Sequence, residues 1–389
     1  MKIKMSNVVL LGLVSLFTDI STEMVYPILP LYLSTVMGAG PTIIGIIEGI
    51  AESLASIIKL FSGMVADRYG HKKRLAIFGY ASSTVNKIII LLSTTWTGVL
   101  AARIIDRFGK GIRTAPRDAM IAEAAEKSKL GKAYGLHKGL DLLGTAIGIL
   151  LAWFILSSGD NQYKKIFLYS LIPAFIGLAV LLFVRDKKQE STGKTISFNW
   201  KNLDRRLKLF LVFIFIFTLG NSSNAFILLR SYNAGFSPQA AILLYFVYNM
   251  TGSLLSYPAG MLSDKFGRKN ILCTGYLLYG IVYLGIALLS NNVAFIVLFV
   301  IYGFYTALTA GVERALIVDI VPPENKAGAL GLHAAIVGIG LLPASIIAGL
   351  LWEWLGPSAP FLFGSTLAFV TSIAVFIILS VKKIEKFVM

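Results

Sequence analysis

The stretch "GMVADRYGHKK" at residues 63–73 returns as "GMLSDKFGRKN" at residues 260–270, an offset of 197. A second pair, "YGLHKGL" around Gly135 and "LGLHAAI" around Gly331, has an offset of 196. Two independent matches at nearly the same offset are not expected by chance. The sequence therefore predicts a chain built from two repeated halves.

The composition indicates a membrane protein. Of the 389 residues, 56% are hydrophobic and only 14% are charged, and the mean hydropathy is +0.75, beyond the range of soluble globular proteins. Apolar runs close to the ~20 residues that span a bilayer recur along the chain. We predict an all-α integral membrane protein with twelve transmembrane helices in two six-helix pseudo-repeats. The spans are centred near residues 22, 54, 85, 110, 144, 175, 220, 250, 280, 306, 341 and 370, and the fourth is the weakest by hydropathy.

The charged residues predict topology and domain boundaries. The longest polar break, residues 185–208, predicts a cytoplasmic linker between an N-terminal bundle (1–184) and a C-terminal bundle (209–389). Lys and Arg concentrate in the even-numbered loops and both tails, so the positive-inside rule predicts cytoplasmic termini in a multi-pass protein of the cell membrane. The net charge of +16 is thus interpreted as a topology signal and not as a nucleic-acid surface.

Several function classes lack their sequence signals. One cysteine, Cys273, and three scattered histidines give neither a disulfide framework nor a cluster of metal ligands. No Gly-x-x-x-x-Gly-Lys-[Ser/Thr] loop is present, which argues against ATP-driven transport by this chain. No nucleophile and base pair stands out, so we expect no enzyme activity, no cofactor and no bound metal.

The repeated motif, Gly-x-x-x-Asp-[Arg/Lys]-x-Gly, follows the second span of each half and resembles the signature loop of the major facilitator superfamily. The resemblance implies the major facilitator fold, in a poorly characterised prokaryotic branch similar to proton-coupled drug exporters. It also implies that this loop latches the two halves while the cavity opens outward. In this sequence the latch residues are Gly63, Asp67, Arg68, Gly70, Gly260, Asp264 and Gly267. Physically, Gly63 permits close helix packing and Gly70 permits a tight turn.

The fourth and fifth spans match the family only in part. "RIIDRFGKG" (103–111) is similar to the family's Arg-x-x-Gln-Gly-x-Gly pattern, with Arg103 in the arginine position but charged residues following it. We expect Asp106, Arg107, Lys110 and Arg113 to lie at the cytoplasmic mouth. The fifth span keeps two glycines, Gly144 and Gly148, but has Thr145 where the family's antiporter motif has proline. That departure weakens the case for export.

Two carboxylates in the first span suggest a mechanism. Asp19 and Glu23 are four residues apart and share one helix face, whereas the C-terminal half has apolar and hydroxyl residues in the corresponding stretch. Burial beside another negative charge favours the protonated form of a carboxylic acid, and an approaching cation favours the ionised form. Our hypothesis is that Asp19 or Glu23 carries the proton and that Arg103 modulates it. The alternative is a fixed ion pair with Lys59, Lys87 or Arg103.

A second set of residues is predicted to line the substrate cavity. Acidic and basic residues of the second span share a face, and aromatic and amide residues lie at facing positions of other spans. The predicted cavity residues are Tyr26, Glu48, Glu52, Lys59, Asp141, Phe226, Tyr245 and Asn249. The alternative for each is a structural ion pair or ordinary packing.

These observations predict a secondary active transporter that works by alternating access. The leading hypothesis is proton-coupled export of a small cationic or amphipathic compound by a monomer in the lipid bilayer, the monomeric state being the family's expectation. Proton-coupled uptake of an anionic solute or iron chelate is one alternative, and a divalent metal ion carrier is another. A receptor or scramblase would be indicated by loss of the paired signature loops, which are intact.

Overall fold

The computed structural model describes residues 2–69, 72–125, 130–159, 162–185, 205–321 and 326–380, and within these ranges the regular structure is entirely helical. The α-helices are α1 (Lys2–Val25), α2 (Leu29–Thr35), α3 (Pro41–Tyr69), α4 (Lys72–Leu92), α5 (Trp96–Ala124), α6 (Leu130–Ser157), α7 (Tyr163–Leu182), α8 (Arg205–Gly220), α9 (Asn224–Asn233), α10 (Pro238–Phe266), α11 (Arg268–Leu288), α12 (Asn292–Thr309), α13 (Val312–Ile320), α14 (Lys326–Leu355) and α15 (Ala359–Ser380).

The helices form the expected twelve spans. In the described ranges, eleven helical segments are long and apolar enough to cross a membrane, and α5 is the twelfth helix of sufficient length. The prediction that the fourth span is the least hydropathic is therefore confirmed, as is the all-helical fold. Residues 186–204 lie outside the described residues, so the linker and the boundaries of the two bundles stay predictions.

Three spans are broken, and the breaks have local causes. In the first span, a 3-10 turn at Tyr26–Ile28 separates α1 from α2, where Pro27 and Pro30 each lack the N–H that an α-helix interior requires. In the seventh span, residues 221–223 leave the helix, and the Ser223 hydroxyl caps α9 by accepting the Ala225 N–H at 3.2 Å. The tenth span breaks between α12 and α13.

The structure repeats at the offset seen in the sequence. Lys72 at the start of α4 pairs with Glu123 near the end of α5, and Arg268 at the start of α11 pairs with Asp319 near the end of α13. Both members of the second pair lie 196 residues after those of the first. The two-repeat organisation is thus confirmed by matching ion pairs.

Glycines set the closest helix approaches. A Cβ added to Gly144 would lie 2.6 Å from the Leu16 carbonyl oxygen, so α6 packs directly on the backbone of α1. Between the halves, a Cβ on Gly49 of α3 would lie 2.9 Å from the Leu342 carbonyl oxygen of α14. Small residues thus hold α3 against α14 across the interface, as expected for helix packing in a membrane.

Among the described residues, the two halves pack closely at one end of the bundle and less closely at the other. We call the end at which α1 begins and α15 ends the termini side, and the other end the far side. At the far side α2 packs on α9 within one apolar cluster, and the Gln239 side chain donates to the Leu156 carbonyl at 3.2 Å. Towards the termini side, a Cβ on Gly135 or Gly139 of α6, or on Gly260 of α10, would meet nothing within 4 Å.

The signature loop is described mainly in its second copy. Gly267 joins α10 to α11 with φ of 87°, a conformation that favours glycine, and Asp264 pairs with Arg268 at 3.2 Å. A Cβ added to Gly260 would meet nothing within 4 Å, so no close helix contact lies at that glycine in this arrangement. In the first copy, Gly70 lies outside the described residues, and Gly63, Asp67 and Arg68 are described only as part of helix α3.

Candidate functional site

A cavity of about 320 Å³ lies between the two halves, extending from the break in the seventh span towards the termini side. Its N-terminal wall includes Tyr26 and Glu52. Its larger C-terminal wall is made by polar and aromatic residues of α8, α9, α10, α12 and α13. The polar members of that wall include Asn221, Ser222, Ser223, Asn224, Tyr248, Tyr302, Tyr305 and Glu313. Non-helical backbone at membrane depth is tolerated where it borders such a cavity.

Tyrosines form the aromatic part of the C-terminal wall. The Tyr302 ring stacks on Tyr248, with ring centroids 4.6 Å apart and planes at 29°, and on Tyr305, at 5.5 Å and 22°. The Tyr302 hydroxyl donates to the Asn224 side chain at 3.1 Å, which ties the stack to the break in the seventh span. The wall therefore presents fixed ring faces and edges beside amide and hydroxyl groups.

Glu313 is the carboxylate of the C-terminal wall. The Tyr276 hydroxyl donates to one of its oxygens at 2.8 Å, and the His333 ring nitrogen lies 3.1 Å from the other. The side chains of Glu313 and His333 are mostly buried, and Glu313 also borders the cavity. Sequence reasoning missed this residue, although the equivalence of His137 and His333 in the repeat points to the region.

In the N-terminal half, Arg103 forms a buried ion pair with Glu48. One guanidinium nitrogen donates to both Glu48 oxygens, at 2.8 and 2.7 Å, and the two residues are 3% and 1% exposed. Ser223 of the other half donates to the same carboxylate at 3.3 Å. Glu48 is therefore a contact between the halves at the level where the seventh span breaks.

A second ion pair lies beside the first. Arg107 contacts Glu52 at 3.0 Å and Asp106 at 3.7 Å. The Tyr26 ring lies between the two arginines, with its centroid 5.5 Å from the Arg103 guanidinium carbon and 5.7 Å from that of Arg107. Tyr26 thus contributes cation–π contacts to the same charged layer that borders the cavity.

The charges of the fourth span do not all lie at the mouth. Asp106 accepts a hydrogen bond from Ser83 of α4 at 2.5 Å, and Arg113 donates to the same serine at 2.6 Å. Asp106, Arg107 and Arg113 are buried, which does not fit the expected position at an open cytoplasmic mouth, while Lys110 is exposed. The physical reason is that a face of α5 packs against α3 and α4, where the charges neutralise one another.

Asp19 and Glu23 lie on the face of α1 that meets α6. Asp19 is next to Asp141 of α6, whose carboxylate also pairs with Lys138 at 3.4 Å. One oxygen of Glu23 is buried with no hydrogen-bond partner among the described residues. Among the described residues, neither carboxylate forms an ion pair with Lys59, Lys87 or Arg103.

The other predicted cavity residues are only partly brought together. Tyr245 lies between Tyr26 and Tyr248, with ring centroids 5.9 and 5.8 Å away, and is not among the residues that line the cavity. Phe226 is fully buried against Trp352, and the Asn249 amide donates to the Tyr245 carbonyl of its own helix. Lys59 is exposed and does not border the cavity.

Comparison with known proteins identifies relatives of the whole chain. An uncharacterized MFS-type transporter of Methanocaldococcus jannaschii is 38% identical over 94% of this chain and 93% of its own length. A multi-drug resistance efflux pump PmrA homolog of Lactococcus lactis is 24% identical, covering 87% of this chain and 92% of its own. A gentisate transporter of Corynebacterium glutamicum is 22% identical, covering 87% and 80%.

Solved structures of membrane transporters share the fold. The crystal structure of the nucleoside transporter NupG matches with a TM-score of 0.79 and 14% identity, over 98% of this chain and 100% of that one. The family model of the Major Facilitator Superfamily matches residues 11–229 and 208–387, which together cover nearly the whole sequence. The chain therefore belongs to the major facilitator superfamily of membrane transporters.

Proposed function

We propose that this transporter exports a small cationic or amphipathic compound in exchange for protons, by alternating access of the cavity between its halves. The carrying observation is the charge of the cavity wall. Two carboxylates, Glu52 and Glu313, border the cavity, and none of its described lining residues is Lys, Arg or His. A solute that passes through this space therefore meets aromatic rings and two carboxylates, of which Glu52 is paired with Arg107 behind the wall and Glu313 lies beside His333.

The tyrosine wall supports the same class of solute. A cation over an aromatic face gains about 0.5–2 kcal/mol, more when it is desolvated, and a planar apolar group stacks on the rings. Tyr248 and Tyr302 present such faces, and Glu313 lies on the same side of the cavity. An amphipathic cation satisfies both features at once.

Proton coupling is proposed to depend on the carboxylates of α1. Glu23 has one buried oxygen without a partner among the described residues, so it is free to take up or release a proton without breaking an ion pair. Arg103 is held by Glu48, so we propose the other basic residues of this part of α5, Lys110 and Arg107, as the modulating cations, although Arg107 is itself paired with Glu52. Movement of α5 against α1 would change their influence on that carboxylate.

The alternatives gain less support. An anionic solute or iron chelate would need cations in the wall, whereas the lining described above carries acids. A divalent metal ion needs several oxygen, nitrogen or sulfur ligands together, and no group of three or more His, Cys, Asp or Glu residues in the described ranges has that arrangement. The names of the PmrA homolog and of the gentisate transporter indicate different substrates, so the proposal rests on the residues of the cavity and not on these relatives.

The test is transport by the purified protein in proteoliposomes with an imposed pH gradient. Ethidium serves as the planar cationic probe, gentisate as the anionic one and Mn²⁺ as the metal, and a pH-sensitive dye reports proton flux. We expect ethidium to cross the membrane in one direction while protons cross it in the other. Movement of only gentisate or Mn²⁺, or of ethidium without any proton flux, would overturn the proposal.

Variants test the assignment of the proton carrier. Asp19→Asn and Glu23→Gln each keep the side-chain shape, and Glu353→Gln at an exposed site of α14 is the matched control. We expect at least one of the first two to lose proton-driven accumulation while retaining solute exchange at equal pH, and the control to keep both. Full proton-driven transport by both variants would show that neither carboxylate is the carrier.

A further inference from the structure

A small void lies among mostly buried residues of the N-terminal half, between α1, the turn that follows it, α4 and α5. Its volume is about 10 Å³, and its walls include Thr22, Asn86, Lys87, Arg103 and Asp106. The void is separate from the cavity between the halves, although Tyr26 borders both. It therefore belongs to the interior of one bundle and not to the proposed substrate path.

Three polar atoms of the void's walls are buried and have no hydrogen-bond partner among the described residues. They are the Thr22 hydroxyl oxygen of α1, the Asn86 side-chain oxygen of α4 and the Arg103 Nε of α5. Asn86 and Arg103 are 5% and 3% exposed, so bulk solvent does not satisfy them. Native proteins pair nearly all such groups.

We propose that this void binds one ordered water molecule that joins α1, α4 and α5. A single water needs roughly 10–15 Å³ and two to four polar partners, and this site supplies both. The water accepts the Arg103 Nε–H and donates its two hydrogens to Asn86 and Thr22. A bare cation is excluded by the Arg103 donor and by Lys87, and an anion by the Asn86 oxygen and the Asp106 carboxylate.

The water has a structural consequence for the charged layer. Thr22 precedes Glu23 directly, and Arg103 holds Glu48 through its Nη2. The water thus positions the carboxylate-bearing part of α1 relative to the ion pairs of α5. This inference rests on the geometry of the N-terminal half alone, so it stands or falls independently of what the protein transports.

The experiment is hydroxyl-radical labelling by X-ray irradiation of the intact protein in detergent, because irradiated bound water labels the side chains beside it. Leu29 and Ile90 border the void and are each 1% exposed. Leu31 and Ile47 are 0% exposed and do not border it, so they are matched controls. We expect Leu29 and Ile90 to be labelled severalfold faster than the controls, and equal rates would overturn the proposal.

Two near-isosteric variants show whether the named atoms hold the water. Asn86→Leu and Thr22→Val each remove one polar partner, and the second preserves the shape of the site in case the first does not fold. We expect labelling of Leu29 and Ile90 to fall to the level of the controls. Undiminished labelling in a folded Thr22→Val protein would refute this site, and Asn249→Leu, away from the void, serves as a control in which labelling is unchanged.

Discussion

The third and fourth spans and the ninth and tenth spans are the same structural unit, repeated at an offset of 196, yet their interiors differ in chemistry. In the N-terminal unit the interior positions carry an acid, a base and a hydroxyl. In the C-terminal unit the equivalent positions are all tyrosine. The equivalent pairs are Asp106 and Tyr302, Lys87 and Tyr283, and Ser83 and Tyr279.

The difference teaches how each interior is specified. Each buried charge of the N-terminal unit depends on a partner, so loss of one group leaves the charge of its partner unpaired in a medium of low dielectric constant. The tyrosines of the C-terminal unit pack by ring area, as in the Tyr279–Tyr283 stack at 4.0 Å, and each hydroxyl needs only one partner. We therefore infer that substitutions in the N-terminal interior cost more stability than substitutions in the C-terminal interior.

The largest expected effect comes from removing the cationic partner of Glu48. Arg103→Met removes the partner of a carboxylate that is 1% exposed, and such losses cost about 3–5 kcal/mol. We expect a strongly reduced unfolding temperature in detergent, measured by fluorescence-detected size exclusion. The double variant Glu48→Gln with Arg103→Met leaves no buried charge in this pair and should recover most of the stability.

The repeat supplies the control for that prediction. Phe299 occupies the position of Arg103 in the other half, is 1% exposed and carries no charge. Phe299→Met should therefore cost less than about 1.5 kcal/mol, as apolar swaps of similar volume do. Equal losses of stability for Arg103→Met and Phe299→Met would contradict the idea that buried charge, and not packing, makes the N-terminal interior more sensitive to substitution.

The second comparison uses one equivalent pair directly. Asp106→Asn removes the negative charge beside Arg107 and should lower the free energy of unfolding by about 2–3 kcal/mol. Tyr302→Phe removes a hydroxyl that donates to Asn224 and should lower it by only about 0.5–1.5 kcal/mol. Chemical unfolding of both variants in the same detergent measures the difference, and a larger loss for Tyr302→Phe would reverse the comparison.

A third variant addresses the one acid among the tyrosines of the cavity wall. Glu313→Gln keeps an oxygen for the Tyr276 hydroxyl but removes the charge that faces the cavity. If the solute is a cation, we expect its KM in proteoliposomes to rise about tenfold, which corresponds to 1.4 kcal/mol. An unchanged KM for ethidium, in a variant whose unfolding temperature is also unchanged, would show that Glu313 does not recognise the cation.

The repeat and the hydropathy pattern were sufficient to predict the fold, because two matched offsets and twelve apolar runs constrain a membrane chain strongly. Tyr26 and Glu52 line the cavity between the halves, and their contact with a substrate stays a prediction. The partner of Arg103 could not be predicted. A spacing of four residues shows that Asp19 and Glu23 share a face, but the rotation of α1 decides whether that face meets α5 or α6.

Glu313 and the tyrosine wall were missed for a related reason. Tyrosines give no distinct signal in an apolar span, since they pack in cores as readily as they line cavities. Mapping the N-terminal half onto the C-terminal half at 196 places Glu313 at the position of Arg117, and His333 at that of His137. The sequence signal was the reversal of charge between Arg117 and Glu313, each of which precedes a histidine that both halves share.

The smallest expected effect concerns the ion pairs that both halves keep. The Arg268–Asp319 pair is solvent-accessible, with side chains 28% and 52% exposed, whereas Lys72 and Glu123 are 7% and 25% exposed. Exposed pairs contribute about 0–1 kcal/mol, so Asp319→Asn should barely change the unfolding temperature. Glu123→Gln should cost more, because Lys72 is less hydrated, and its effect should be less sensitive to salt. If 0.5 M NaCl removed both effects equally, the two repeats would be equivalent at this edge, and their difference would be confined to the buried layer.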